Sequence, residues 1–145
     1  MIKAVVTTEG PVHQDEIYRR IIHSFGLKQL GSRLRSHLNK AFERLKRDDP
    51  TVREADGFVW FGEQLEGLVP RDRSRAQASS QKAPMIADAE IKAALAIILR
   101  ENGDMVHEDR VRAVAALFGF KRTGRELSTR ITEVIENTNR AFPGS

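Results

Sequence analysis

Residues 32–47 set Arg33, Arg35, Lys40, Arg44, Lys46 and Arg47 against a single carboxylate, Glu43. At a helical step of about 100° per residue, Leu34, Leu38, Ala41, Phe42 and Leu45 make one apolar stripe. Ser36, Asn39, Lys40, Glu43 and Arg47 fall opposite it, flanked by Arg33, His37 and Arg44. Arginine, lysine, asparagine and serine meet phosphate oxygens and base edges when such a helix lies in a major groove. One such charge alone is a solvated helix face; their concentration on one helix points to nucleic acid. The candidate contacts are Arg33, Ser36, His37, Lys40, Arg44 and Arg47, with Arg53 as a further phosphate contact beyond the helix.

Other groupings invite chemistry and fit it poorly. Val-His-x-Asp occurs twice, at Val12-His13-Gln14-Asp15 and at Val106-His107-Glu108-Asp109. A functional reading makes His13, Asp15, His107 and Asp109 a shared metal site. A structural reading places each histidine at a helix start, where its ring or backbone helps cap orphan amides. Duplication explains the recurrence without metal, and metal sites need more convergent ligands, so capping is the expectation and no metal is expected. Gly26-x-x-x-x-Gly31-Ser32 and Gly119-x-x-x-x-Gly124-Arg125 have the spacing of a phosphate loop but lack its lysine and follow no buried strand. Phe58, Trp60 and Phe61 could stack on bases, yet alternation puts Phe58 and Trp60 on one strand face, which favours core. No nucleophile–base or paired-carboxylate pattern stands out, and neither catalysis nor a cofactor is expected.

The elements that must position the basic helix come in two copies. Phe25-Gly26-Leu27-Lys28 with Gly31 recurs as Phe118-Gly119-Phe120-Lys121 with Gly124, and with the histidine motifs the two halves align across a one-residue gap. In the first copy, residues 2–8 are helix or strand. Ile17, Ile21, Ile22 and Phe25 then fall at helical spacing, Gly26 closes that helix, and Ser32 is the expected N-cap of the next. Asp48-Asp49-Pro50 stops it, and residues 51–54 and 58–61 flank Ala55-Asp56-Gly57 as a hairpin wing. In the second copy, Ile91, Leu95, Ile98 and Leu99 mark one helix, closed by Asn102-Gly103. Val111, Val114, Ala115 and Phe118 mark the next, and Leu127, Ile131, Val134 and Ile135 the last. Its wing would begin at residues 141–145.

The expected architecture is therefore mainly α: two tandem winged-helix or helix-turn-helix units, the first with a small β-hairpin wing, the second wingless or truncated. The boundaries are 1–62, a linker over 63–86, and 87–145. The linker core, 71–82, is almost without apolar residues and reads as a mobile tether, although Leu65, Leu68 and Val69 offer apolar contacts to the first unit. In the second unit Arg125, Arg130 and Arg140 are matched by Glu126, Glu133 and Glu136, so phosphates are expected on the first unit only.

The 145-residue chain carries a formal net charge of +4, which permits a polyanionic partner without requiring one. With no cysteine it has neither disulfides nor thiolate zinc sites and suits a reducing cytoplasm, the expected location. No apolar run approaches the roughly 20 residues of a membrane span, and residues 1–9 are too short in their apolar part for a secretory signal.

The run Glu9-Gly10-Pro11-Val12-His13-Gln14-Asp15-Glu16, followed by Phe25-Gly26-Leu27-Lys28 and Gly31-Ser32-Arg33-Leu34-Arg35, resembles a domain of unknown function at the C-terminal end of large bacterial superfamily-one helicase-like ATPases. Members of that family carry a similar pattern, then a Trp-containing strand like Phe58-Val59-Trp60, and often a second unit. The second copy departs from the pattern at Arg125-Glu126, where Ser-Arg is usual. The resemblance implies a DNA-processing context with the ATPase motor outside these residues. The leading expectation is a DNA-binding accessory module. The alternative is a protein-interaction module that docks a helicase motor or another partner, or self-associates through the second unit.

Overall fold

The computed structural model describes residues 1–76 and 81–141, the side chains of 139–141 excepted. Tether residues 77–80, the Arg140 side chain and residues 142–145, where a second wing would begin, lie outside the described residues. The chain divides into two units, Met1–Gly67 and Leu68–Ser145.

Unit 1 runs α1 (Ile2–Glu9), β1 (Val12–His13), α2 (Gln14–Ser24), α3 (Ser32–Asp48), β2 (Val52–Ala55) and β3 (Phe58–Phe61). This helix and strand order is winged-helix-like. Residues 2–8, open between helix and strand, are helix because Ile2 and Val6, four apart, both bury against α2. The apolar sides of α1, α2 and α3 close over Ile17, Tyr18, Ile21, Ile22, Leu38 and Phe42, joined by Val12 and Val59 from the strands. Leu34 and Leu45 are half-buried, while Ala41 is exposed, so the α3 stripe is narrower than its periodicity suggests.

The sheet is antiparallel in the order β1-β3-β2, with Val12 opposite Val59 and Arg53 opposite Trp60. Sequence periodicity misses β1, which is too short to show alternation. The hairpin turns at Asp56 and Gly57, both at positive φ (53° and 84°), as a two-residue turn between twisted strands requires. Val59 and Phe61 face the core, so Phe58 and Trp60 lie on the other side of β3. Phe58 is buried there edge-on to the His13 ring, centroids 5.1 Å apart, and Trp60 is half-buried. Of the expected Phe58–Trp60 core pair, Phe58 is buried as expected, at 5% exposed, whereas Trp60 on the same side of β3 is only half-buried.

Unit 2 contains a short 3-10 turn (Ala83–Met85), then α4 (Asp88–Asn102), α5 (His107–Leu117) and α6 (Arg125–Ala141). Its core joins Ile86, Ile91, Leu95 and Ile98 to Val111, Val114, Phe118, Leu127, Ile131, Val134 and Ile135. No strand occurs among its described residues.

One constant offset relates the two units without a gap. It carries Gln14 to His107, Ser24 to Leu117, Gly26 to Gly119, Gly31 to Gly124 and Ser32 to Arg125. The turns match bond for bond. Leu27 N–H donates to the Ile22 carbonyl (3.0 Å) and Gly26 N–H to His23 (2.9 Å); Phe120 N–H donates to Ala115 (3.1 Å) and Gly119 N–H to Ala116 (3.0 Å). Both are Schellman motifs with glycine at positive φ, 75° and 88°. The gap suggested by the histidines disappears. His13 is the N-cap of α2, and its counterpart is the N-cap Val106, while His107 is already inside α5. His13 Nδ1 accepts the Asp15 N–H (3.1 Å), as a capping group should. The His107 ring instead meets the Thr132 hydroxyl at 3.1 Å, so capping by the ring belongs to the first histidine only. Ser32 is likewise displaced as N-cap by Gly31, whose carbonyl accepts from Arg35 N–H.

The bare tether expected over 71–82 is not what residues 71–76 form. Arg73 is only 6% exposed, and its guanidinium makes two 2.9 Å bonds to the carboxylate of Glu90, which is fully buried. Its N–H donates to the Phe118 carbonyl (2.7 Å) and its guanidinium lies 5.4 Å over the Phe118 ring. A polar run can be buried when its charge meets a buried counter-charge, which local composition does not reveal. At the other end of the expected linker, Gln64 belongs to unit 1. Its Nε2 donates to the Val6 carbonyl (2.6 Å) and its Oε1 accepts from Phe61 N–H (2.7 Å). Val69, offered as an apolar contact, is 71% exposed.

Removing one member of a buried ion pair strands the other. Glu90→Leu should therefore cost about 3–5 kcal/mol, Arg73→Met less because Arg71 still reaches the Glu90 carboxylate at 3.5 Å, and the double substitution markedly less than the sum of the two; denaturant melts compare the three, and additive losses would refute the pairing. Gly26→Ala, with nothing within 4 Å of the new Cβ, should cost about 1–2 kcal/mol for backbone strain alone. Gly119→Ala should cost more, because its Cβ would meet Ser74 N at 2.8 Å.

Candidate nucleic-acid interface

The basic helix α3 is held by three sets of bonds. Its stripe, Leu38 and Phe42, anchors it in the core. Tyr18, buried on α2, donates its hydroxyl hydrogen to Asn39 Oδ1 (2.8 Å) and accepts from Gln14 Nε2 (2.8 Å), fixing how α3 lies across α2. At the C-terminal end, Asp49 Oδ1 accepts from the Thr51 hydroxyl (2.6 Å) and from Thr51 N–H (2.9 Å), so the helix gives way to the wing at a defined turn. Those bonds hold the Asp49 carboxyl below the usual carboxylate range, the hydroxyl bond contributing most.

The face so positioned is strongly cationic. Arg33, Ser36, His37, Lys40, Arg44 and Arg47 are all exposed. Among the described residues, none of Arg33, Lys40, Arg44 and Arg47 has an ion-pair partner. Glu43 does not offset them: Lys46 takes it at 2.8 Å and also binds Glu54 of β2 at 3.0 Å. Its bonds, to Glu43 first and then to Glu54, hold the Lys46 ammonium above its ordinary value. Lys46, with its ammonium 4.9 Å over the Phe42 ring, therefore clamps α3 to the wing.

The candidate residues divide over two shallow grooves. Ser36, Lys40, Arg44 and Arg47 line one, together with Asn39 and Glu43. Arg33 and His37 line the other, with Leu27, Gln29 and Leu34. Arg53 is exposed but turned back on the wing, donating from Nη1 to the carbonyls of Pro50 (2.5 Å) and Val52 (3.2 Å). Sequence reasoning missed the structural commitment of Asn39, since the register between α2 and α3 is needed to see it. It also missed the exposure of Phe25 (65%) and Leu27 (45%) in the turn before α3.

The corresponding face of α6 differs. Arg125, Glu126, Thr129, Arg130 and Glu133 stand where Ser32, Arg33, Ser36, His37 and Lys40 stand on α3, and line a groove with Ala83 and Pro84. Carboxylates replace two cations. Arg130 is committed to its own unit, donating to the Ile86 carbonyl (2.6 and 3.1 Å) and pairing with Asp88 at 2.8 Å. Among the described residues, no three histidine or carboxylate side chains converge as a metal-ligand set, and no helix is long and apolar enough to cross a membrane.

The model of a family described as a protein of unknown function, DUF3320, matches residues 1–36, which reach from α1 into the first turn of α3. Comparison with curated proteins and with solved structures returns no match.

Tyr18 is the only tyrosine, so absorbance at 295 nm reads its ionisation alone. Burial, the largest influence, pushes its pKa above the ordinary value of 10.0. The folded chain should form tyrosinate at a higher pH than the chain in urea. Since the folded state holds the proton more tightly, the associated stability is full below the unfolded pKa and falls as pH rises through the folded one. Coincident titrations would contradict the burial of the Tyr18 hydroxyl.

Proposed function

We propose that unit 1 is a nucleic-acid-binding module, for DNA, and that the chain serves as an accessory module of a helicase-like DNA-processing protein. The observation that carries the first part is the row of Arg33, Lys40, Arg44 and Arg47: four exposed cations on the second helix of a helix-turn-helix pair, without carboxylate partners among the described residues. Like charges gathered on one helix destabilise it by self-repulsion, and a phosphate backbone relieves that repulsion. Ser36 and His37 lie among these cations and supply hydrogen bonds to phosphates or base edges. Arg53, folded onto Pro50 and Val52, plays the smaller part. Unit 2 has no such row, since Glu126 and Glu133 occupy the corresponding positions. The link to a helicase-like motor rests on the motif run from Glu9 to Arg35, and any ATPase activity would lie in such a motor rather than in this chain. Docking of the chain on that motor is the second reading, favoured by the exposed Phe25 and Leu27.

A labelled duplex titrated between 50 and 200 mM salt tests the proposal. Affinity should fall with a log–log slope of about −0.9 per phosphate contacted. The double charge reversal Arg33→Glu/Lys40→Glu should flatten that slope by about two contacts' worth and weaken binding at every sequence tried. The matched reversal Lys121→Glu/Arg125→Glu in unit 2 should leave both nearly unchanged. No binding at low salt, or equal losses from the two reversals, would defeat the reading.

A further inference from the structure

Both units end their second helix in the same Schellman turn, yet only one turn is covered. In unit 2 the Phe118 ring is fully buried, with residues 72–74 lying directly on the turn. The Arg73 N–H bonds the Phe118 carbonyl, its guanidinium covers the ring, and a Cβ on Gly119 would come within 2.2 Å of Asp72 Oδ1. In unit 1 the counterpart ring, Phe25, is 65% exposed, Leu27 beside it is 45% exposed, and a Cβ on Gly26 would meet nothing within 4 Å. Leu27 and Leu34 continue this apolar surface as one wall of a shallow groove past Gly31 and Ser32. The backbone that shapes the covered turn is thus reproduced, bond for bond, in an uncovered one.

We propose that the Phe25–Leu27 turn is a docking site for a peptide segment with the chemistry of residues 71–75, Arg-Asp-Arg-Ser-Arg, which turns after its second arginine, where Ala76 N–H donates to the Arg73 carbonyl (3.0 Å). This goes beyond the nucleic-acid reading and does not depend on it. The occupant's backbone N–H bonds the Phe25 carbonyl, and a guanidinium lies on the Phe25 ring, where a cation is attracted by the ring face. The aspartate of the segment lies over Gly26, in a turn whose own charge is Lys28, so its carboxylate meets an opposite sign. Basic neighbours do not bar the arginine, because the covered turn of unit 2 carries Lys121 and Arg122 and still holds Arg73. In unit 2 Glu90 adds the buried ion pair. Without such an anchor the site on unit 1 binds weakly and reversibly, as a regulatory contact does.

The test uses the full chain, in which the site on unit 2 is filled by its own residues 71–76. A fluorescent peptide with the sequence of residues 68–76 is titrated with the chain and followed by anisotropy. Saturable binding is expected, weakened by about tenfold or more by Phe25→Ala in the chain and by alanine at the peptide position matching Arg73. Phe25 is exposed, so its loss should leave the circular-dichroism spectrum and melting temperature unchanged, and Leu27→Ser supplies a second variant. Three results would overturn the proposal: no saturable binding up to millimolar chain, binding by Phe25→Ala and Leu27→Ser as tight as by the unaltered chain, or loss of duplex binding in Phe25→Ala while the peptide still binds. The last would assign the turn to nucleic acid.

Discussion

At the end of α2 the chain reverses within a few residues. Leu27 N–H reaches back to the Ile22 carbonyl while Gly26 sits at φ 75°, a conformation an L side chain adopts only under strain. That reversal sets the angle at which α3 leaves α2. From it follows which side of α3 meets the core through Leu38 and Phe42, and which carries the cations. Tyr18 then fixes the register through Asn39, and Lys46 ties the far end of α3 to β2 through Glu54. The same reversal at Gly119 organises α5 and α6, with different residues around it. A backbone geometry is thus kept in both copies while the surfaces built on it diverge.

The two units handle charge in opposite ways. Unit 2 ties two of its arginines to carboxylates that fix its own elements: Arg73 on Glu90 and Arg130 on Asp88. Burying such a pair gains little net stability, but it makes the position of residues 71–76 specific, since displacing them would strand the Glu90 carboxylate in the core. Unit 1 places its more buried salt bridges on α2, where Glu16 holds Arg19 and Arg20, and leaves Arg33, Lys40, Arg44 and Arg47 of α3 facing solvent. Fold and proposed binding face are thereby separated: changing the exposed charges of α3 touches no buried contact.

Much of this was legible in the residues and some of it was not, for definite reasons. Helical periodicity located α2, α3, α4, α5 and α6, because buried residues three and four apart leave an unmistakable trace, and Asp56-Gly57 announced its hairpin. Phe25 fits the same periodicity as Ile21 and Ile22, yet it lies at the helix end, where the chain is already turning away from the core. β1 has two residues and no pattern to show. Arg73 looked like tether because the group that buries it, Glu90, is seventeen positions away. Of the candidate site, the residue types and the exposed face were readable from spacing. The folding of Arg53 back onto its own wing, the structural use of Asn39 and the locking of Arg130 were not, since each depends on the folded geometry around it.

Trp60 stands half-buried on the outer side of β3, and Tyr18 is buried beneath α3. They are the only tryptophan and the only tyrosine of the chain, and both belong to unit 1. Near-ultraviolet optics therefore observe one half of the molecule almost alone, whereas peptide-bond signals observe both. Heating the intact chain while recording the two together separates the cooperativity of one half from that of the whole, with no label attached and no bond cut.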